Sequence, residues 1–178
     1  NSLSKFSPAQ LDVLGKYGKG LIIDHGTLAS LSKLSLEKLE ALGSTASVIF
    51  TDVGGHKHGE CLGSLMGFSI GQIEALRNFA PGTVKNMAYR SDWFFSNLKM
   101  FTPERLVILG KYEESLIPKM QNYHGYLKVL SEFSTARMEL VGRQIRMPWH
   151  IRDESYVEDL KSLKSRRVLW NDGELEFE

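Results

Sequence analysis

Five copies of one short phrase constrain the fold of this chain more than any other feature. Each copy has an aromatic residue or Leu, then Ser or Thr, two variable residues and a long polar residue, followed by apolar residues at helical spacing. The copies begin at Phe6, Leu34, Phe68, Phe101 and Phe133, so successive starts lie 28, 34, 33 and 32 residues apart. Self-similarity at this period is typical of stacked helical repeats. The sequence therefore predicts a repeat architecture.

Each phrase is predicted to begin an α-helix. Its Ser or Thr can accept a hydrogen bond from a free backbone N–H of the first helical turn. Apolar residues three positions apart, such as Leu11 and Leu14, then fall on one helix face. A Gly eight residues after the cap is predicted to end the helix in the left-handed conformation. The caps are Ser7, Ser35, Ser69, Thr102 and Ser134, and the glycines are Gly15, Gly43, Gly110 and Gly142.

A second apolar segment follows each first helix, so each unit is predicted to be helix, turn, helix. One such segment contains Trp93, Phe94 and Phe95, which with Tyr89 are predicted to be core residues. A helix pair of this length cannot bury its own apolar face, so neighbouring pairs must stack. The alternative is a plain helical bundle whose helix starts resemble one another by chance.

The predicted fold is all-α: a right-handed helical-repeat solenoid of about five two-helix units over residues 1–142. Residues 143–178 are predicted to form a capping helix over residues 153–164 and a hairpin that turns at Asn171-Asp172-Gly173. Alternation of apolar and polar residues around such a turn is typical of a hairpin. This end of the chain also suits the lead into a further domain.

Composition fits one array with its own core. The chain has 178 residues, of which 42% are apolar and 24% charged. It contains no run of about 20 apolar residues, the length that spans a membrane. The start, Asn1-Ser2-Leu3, has neither an initiating Met nor a signal-peptide pattern, so we expect a piece of a longer protein. The lone Cys61 excludes an internal disulfide and favours a reducing compartment such as cytoplasm or nucleus.

Basic residues near the C-terminus suggest where a partner would bind. Residues 143–167 carry seven basic and four acidic side chains, although the net charge of the whole chain is only +1. Arrays that bind nucleic acid normally show a stronger basic excess, so a protein partner is favoured over nucleic acid. The predicted partner-binding residues are Lys16, Lys19, Arg143, Arg146, Arg152, Lys164, Arg166 and Arg167.

One stretch resembles a metal site, because His56, His58 and Cys61 are all competent zinc ligands. Two His side chains two positions apart converge only if the backbone there is extended or forms a turn. The alternative is a glycine-rich loop with solvated His side chains and a buried Cys61. The sequence holds no phosphate-binding loop, H-E-x-x-H or other catalytic motif, so neither enzyme activity nor a cofactor is predicted.

The phrase from Phe101 to Gly110 resembles the DNA-binding repeats of transcription activator-like effectors. Those repeats are two-helix units of similar length that begin with apolar-Ser/Thr-Pro-Glu/Asp-Gln, and the resemblance covers residues 6–142. Similar phrases occur in the helical repeats of mitochondrial transcription termination factors and of mesothelin-like proteins. The resemblance implies DNA binding by a stacked array.

The segments that correspond to the base-reading loops of that family differ from one another here. They span residues 16–20, 78–82 and 111–114, and they lack the uniform Gly-Gly pair. No base-reading residue is therefore carried over, and DNA contact would run through phosphates. The sequence thus predicts a non-enzymatic binding module that presents an extended helical surface, to a protein first and to DNA as the alternative.

Overall fold

The computed structural model describes residues 2–21, 25–50, 55–80, 94–117, 124–144, 161–166, 168–171 and 174–177. This part of the chain is helical up to residue 166 and ends in a two-stranded hairpin. The helices are α1 (Pro8–Leu21), α2 (His25–Leu31), α3 (Leu36–Ile49), α4 (Gly55–Leu65), α5 (Ile70–Ala75), α6 (Phe94–Leu98), α7 (Pro103–Lys111), α8 (Glu113–Leu116), α9 (His124–Ser131) and α10 (Thr135–Gln144). Short 3₁₀ helices cover Ser2–Lys5 and Leu76–Asn78.

We call the five copies of the phrase units 1 to 5, and we count positions from the cap residue of each. All five caps are confirmed. Each cap hydroxyl accepts a hydrogen bond from the backbone N–H at cap+3, with N···O distances of 3.2 to 3.4 Å. At Ser7 and Ser69 the bond is reciprocal, since the side chains of Gln10 and Gln72 accept from the cap N–H at 2.9 Å. Two free donors are thereby satisfied at once.

The prediction for the four glycines is wrong, because none of them ends its helix. Helices α1, α3 and α10 continue beyond Gly15, Gly43 and Gly142, and Gly110 lies inside α7. Three of them instead permit a close approach of the preceding unit. A Cβ added at Gly43 would lie 2.7 Å from Tyr17, one at Gly110 would lie 2.9 Å from the Asn78 backbone, and one at Gly142 would lie 2.5 Å from Tyr112.

The predicted loop over residues 16–20 is also wrong, because α1 runs through it to Leu21. Gly18 and Gly20 lower helix propensity, but propensity is a weak prior that tertiary contacts override. Here α1 packs along α3, and its residues Leu14 and Leu21 are buried in the shared core. Packing of this amphipathic face thus extends the helix past its glycines.

The first helices pack against one another in chain order. Helix α1 contacts α3, α3 contacts α5, α5 contacts α7, and α7 contacts α10. Among the second helices, α4 contacts α6, and α6 contacts α9. The core lies between these helices and includes a buried Leu four residues before each of the last four caps. These residues are Leu31, Leu65, Leu98 and Leu130.

The predicted core position of the aromatic run is confirmed where the structure describes it. Phe94 and Phe95 are buried, and their rings meet edge to face with centroids 5.4 Å apart. Tyr89 and Trp93 lie outside the described residues. The apolar residue before each cap is buried at Phe6, Phe68, Phe101 and Phe133 and half-buried at Leu34.

The side chain at cap+3 forms hydrogen bonds with the turn that leads into the next unit. The Gln72 amide donates to the carbonyl oxygens of Phe101 at 2.7 Å and Lys99 at 3.2 Å. Equivalent bonds run from Gln10 to Leu34 at 2.8 Å and from Arg105 to Ser131 at 2.5 Å. These bonds join residues that are 24 to 29 positions apart in the sequence, so they stabilise the packing of one unit on the next rather than a single helix turn.

The same bond pattern attaches the C-terminal segment to unit 5. Arg137 donates to the carbonyl oxygens of Lys164 at 2.7 Å and Arg166 at 2.5 Å, and Leu163 packs against the core. Residues 161–165 are helical, whereas the rest of the predicted capping helix lies outside the described residues.

A hairpin follows this segment at the place where the sequence predicts one. Strands β1 (Val168–Asn171) and β2 (Glu174–Phe177) pair antiparallel, with Val168 opposite Phe177. Strand β2 contacts α10. The hairpin therefore lies against α10, the last of the first helices.

Candidate binding surfaces

The first predicted partner-binding cation, Lys16, is exposed but is engaged within the chain. Its ammonium lies 3.8 Å from the Glu40 carboxylate of the next unit and 4.7 Å from the centroid of the Tyr17 ring. These contacts, that with Tyr17 first and that with Glu40 second, raise the pKa of Lys16 above its ordinary value. The ion pair joins unit 1 to unit 2. Lys16 therefore contributes to the contact between these units, and its positive charge is balanced by a carboxylate.

Arg143 is engaged in the same way at the other end of the repeats. Its guanidinium donates to Glu139 at 2.9 Å and to the Tyr112 hydroxyl at 3.2 Å. Glu139 also accepts from Lys111 at 3.0 Å. The pKa of the Glu139 carboxyl is held below its ordinary value, because Lys111 and then Arg143 donate to it. One half-buried carboxylate therefore balances two exposed cations.

The remaining predicted cations divide between the described and undescribed parts of the chain. The Lys164 ammonium is paired with Glu132, which lowers the pKa of that carboxyl. Arg166 is exposed, and its backbone carbonyl accepts from Arg137. Lys19 lies on α1, but its side chain is outside the described residues, as are Arg146, Arg152 and Arg167 altogether.

The structure therefore does not gather the eight predicted cations into one described patch. Lys16 belongs to the contact between units 1 and 2, Arg143 to the contact between units 4 and 5, and Lys164 to the segment after unit 5. Each of the three is paired with a carboxylate.

Two of the contacts between units share one design, which we call the Lys–Tyr joint. The donating unit presents Lys at cap+9 and Tyr at cap+10, and the receiving unit presents Glu at cap+5 and Gly at cap+8. In each joint the Lys ammonium lies within 5 Å of its neighbouring Tyr ring centroid, at 4.7 Å and 4.9 Å. The joints are Lys16 and Tyr17 on Glu40 and Gly43, and Lys111 and Tyr112 on Glu139 and Gly142.

A separate feature of the described surface is a set of large apolar side chains that face solvent. Val107 is the most informative, because it occupies cap+5 of unit 4. The other four units have an acidic residue there, namely Asp12, Glu40, Glu74 and Glu139. Unit 4 therefore places a 40% exposed apolar side chain where its neighbours place a charge. The exposed apolar residues are Leu3, Leu11, Leu36, Val48, Met100 and Val107.

The predicted metal ligands all fall on α4. The backbone is helical from Gly55 rather than extended, so the arrangement that would bring positions 56 and 58 to one side is not formed. Cys61 is buried, whereas the side chains of His56 and His58 lie outside the described residues. Within the residues that the structure describes, no three His, Cys, Asp or Glu side chains are grouped closely enough to hold a metal ion.

The Lys–Tyr joint was not predicted from the sequence, although the sequence contains its pattern. The string Leu-Gly-Lys-Tyr occurs at residues 14–17 and again at residues 109–112. Because each Gly was interpreted as a helix end, it was missed that the helix continues through Lys16 and Tyr17 in unit 1 and through Lys111 in unit 4, where Tyr112 directly follows it. A Glu five residues after the following cap completes the signal.

None of the helices in the described ranges has both the length and the apolar character needed to cross a membrane. No protein-family model matches this chain, and neither a curated protein nor a solved structure shows significant similarity to it. The chemistry of the described surface is therefore the basis on which a function is proposed.

Proposed function

We propose that this chain is a non-enzymatic binding module, a helical solenoid of five two-helix units that presents an extended surface to a protein partner. The chain-order contacts of the first helices support the stacked arrangement. Similar bonds from cap+3 to the following turn support it as well, since they recur in units 1, 3, 4 and 5. In such arrays each unit contacts its neighbours, and the outer surface remains available for recognition.

The observation that carries the choice of a protein partner is the pairing of the predicted cations. Lys16, Arg143 and Lys164 each lie against a carboxylate of the chain itself. Binding to nucleic acid gains free energy when cations neutralise phosphates and release counterions. A cation that is already paired with a Glu carboxylate contributes less binding free energy when it meets a phosphate, and the Glu carboxylate repels that phosphate.

Exposed apolar side chains favour a protein partner for a second reason. The buried centre of a protein–protein interface is poor in charge and rich in apolar contact. Val107 of unit 4 and Met100, which lies just before that unit, are 40% and 37% exposed. A partner that covers unit 4 would remove both side chains from water, whereas a phosphate backbone would gain nothing from them.

Two measurements test this proposal against DNA binding through TAL-like repeats. The first is a fluorescence-anisotropy titration with duplex DNA, single-stranded DNA and RNA at two salt concentrations. We expect no salt-sensitive binding at micromolar protein concentrations. Tight binding that weakens steeply as the salt concentration rises would show that the partner is nucleic acid rather than a protein.

The second measurement compares Val107→Glu with Glu74→Gln in cross-linking and pull-down experiments on cell extract. Val107→Glu places in unit 4 the kind of residue that the other units carry at cap+5, so the fold should tolerate it. We expect it to reduce capture of partner proteins at least tenfold, while Glu74→Gln, at the same position of unit 3, leaves capture unchanged. Equal capture by both variants would remove unit 4 from the proposed surface.

A further inference from the structure

Successive first helices begin side by side, and the residues around their caps form one edge of the described array. The Gln72 amide donates to two carbonyl oxygens at the turn before unit 4, and Arg105 and Arg137 make equivalent bonds further along the chain. A Cβ added at Gly71 would lie 3.1 Å from Cγ of Pro103, so the first turns of units 3 and 4 are also in contact. We call this edge the turn edge, and it comprises residues 32–38, 66–72, 99–105, 131–137 and 161–166.

The turn edge is strongly basic. It holds eight basic and three acidic side chains, a net charge of +5, whereas the whole chain has a net charge of +1. The remaining residues therefore sum to −4, and part of that negative charge is the row of Glu40, Glu74 and Glu139 at cap+5. The positive charge of the chain is thus concentrated at one edge of the array.

The turn edge has few carboxylates of its own to balance this charge. Glu132 is paired with Lys164, and the Glu104 carboxyl accepts from its own backbone N–H, which lowers its pKa. Two exposed lysines, Lys33 and Lys99, have no carboxylate within ion-pair distance among the residues that the structure describes. Neither lysine is among the partner-binding cations that the sequence predicts.

Lys99 is placed as Lys164 is, but it lacks the carboxylate that Lys164 has. The backbone carbonyl of each residue accepts from the cap+3 side chain of the preceding unit. The Lys164 ammonium reaches back to Glu132, which lies two residues before the cap of unit 5. Gly67 occupies that position in unit 3, and a Cβ added there would lie 2.6 Å from the Lys99 ammonium. The chain therefore forms this ion pair once and leaves out its acidic member in unit 3.

Apolar side chains are exposed beside the two unpaired lysines. Met100 follows Lys99 directly and is 37% exposed, and Leu36 lies three residues after Lys33 and is 42% exposed. A phosphate backbone would neutralise the lysines but would gain nothing from the apolar side chains. A peptide can supply carboxylates and apolar contacts together. The turn edge therefore suits an acidic peptide that also carries apolar residues.

The described connections of this chain leave the turn edge open. Those from a second helix to the next cap are fully described, and they form the turn edge itself. The helix ends that flank residues 51–54, 81–93 and 118–123 lie at the opposite edge, because each of these segments comes between the end of a first helix and the start of a second. Lys33 and Lys99 belong to turns inside the array, so their exposure does not depend on either end of the chain.

We propose that the turn edge binds an acidic segment of a partner protein in which apolar residues lie among the Asp and Glu residues. Its carboxylates pair with Lys33 and Lys99, and its apolar side chains cover Leu36 and Met100. Charge complementarity of this kind accelerates association and selects among partners. The inference rests on the proposed function, for which it names the surface and the chemistry of the partner.

A synthetic peptide of this chemistry provides the probe. A fluorescently labelled peptide that repeats Glu-Glu-Leu is titrated with the whole chain at low salt, with fluorescence anisotropy as the readout. We expect binding that is lost when Gln replaces every Glu and that weakens when Ser replaces every Leu. Absence of binding to the Glu-Glu-Leu peptide would overturn the proposal. Oligothymidylate that binds as tightly as the peptide would assign the turn edge to nucleic acid, which would also overturn it.

Gly67→Glu tests where the peptide binds. The new carboxylate would pair with Lys99 as Glu132 pairs with Lys164, and it would repel the peptide, so affinity should fall roughly tenfold. Gly67→Ala is the matched control, because its methyl group meets only the end of the flexible Lys99 side chain; it should leave affinity unchanged. Lys99→Gln should weaken binding roughly fivefold, whereas Arg77→Gln, which removes an exposed cation at cap+8 of unit 3, should have no effect.

Urea unfolding of each variant checks that the fold is retained. Equal affinity of the parent chain, Gly67→Glu and Lys99→Gln would place the peptide elsewhere, and the proposal would be wrong. If the peptide does not bind while Val107→Glu still reduces capture of partner proteins, the acidic segment is refuted and the protein-partner function stands.

Discussion

Gly142→Ala tests the idea that these glycines serve contacts between units rather than helix ends. The added Cβ would lie 2.5 Å from Cγ and 2.7 Å from Cβ of Tyr112. Both atoms lie close to the Tyr112 backbone, so the clash cannot be relieved by rotating the end of a flexible side chain. Overpacking of this kind costs about 1–3 kcal/mol.

The helix itself favours the substitution. Replacing Gly by Ala inside a helix stabilises by about 0.5–1 kcal/mol, so the net loss at Gly142 should be about 0–2.5 kcal/mol. Gly15→Ala makes the same chemical change at the same position of unit 1, where nothing lies within 4 Å of the new Cβ. It should stabilise by about 0.5–1 kcal/mol.

The assay is urea unfolding at 25 °C, with the slope m as a check that both variants unfold as the parent does. In a Tyr112→Ala background the clash is absent, so Gly142→Ala should become neutral or stabilising. Equal effects of Gly142→Ala and Gly15→Ala in the parent chain would refute the close approach of Tyr112. A loss at Gly142 that persists without Tyr112 would assign it to another cause.

Three further outcomes follow from the contacts described above. Ser69→Ala should lower the free energy of unfolding by about 1 kcal/mol, because the hydroxyl that caps α5 is lost. Ser69→Thr keeps a hydroxyl and should lose much less stability. Equal losses in the two variants would contradict a capping role for Ser69. Glu139→Gln should reduce stability at neutral pH by about 1 kcal/mol or less. Since the folded pKa of Glu139 is lowered, this difference should vanish as the pH falls below that pKa, and a difference independent of pH would contradict the ion pairs. Arg137→Lys keeps the charge but cannot bond both Lys164 and Arg166 carbonyls, so hydrogen exchange in residues 161–166 should accelerate several-fold while α5 stays unchanged; uniform acceleration would mean global destabilisation instead.

Helix starts were predictable from the sequence because capping is local chemistry. A Ser or Thr hydroxyl and the N–H three residues later belong to the same turn, so their meeting does not depend on the remaining fold. The burial of Phe68 and Phe101 before their caps follows from the same local geometry. The period of the phrase then indicated helices packed in succession, and the contacts of the first helices agree with it.

The helix ends were not predictable in the same way. Gly15 and Gly43 have the sequence context of a C-terminal cap, yet α1 and α3 continue for six residues beyond them, to Leu21 and Ile49. Helix propensity differs by about 1 kcal/mol between Gly and Ala, and burial of Leu21 or Ile49 in the core outweighs it. Where a helix stops is therefore decided by what its far end packs against.

The sequence by itself determined where helices begin, which residues form their apolar stripes and that the pattern recurs. Only the tertiary structure decided which cations are paired across units, since Lys16 meets Glu40 and Lys111 meets Glu139 through the stacking of successive first helices. It also decided that Leu11 faces solvent while Leu39 is buried. The two residues have the same local sequence context, and they differ only in whether another helix lies against them.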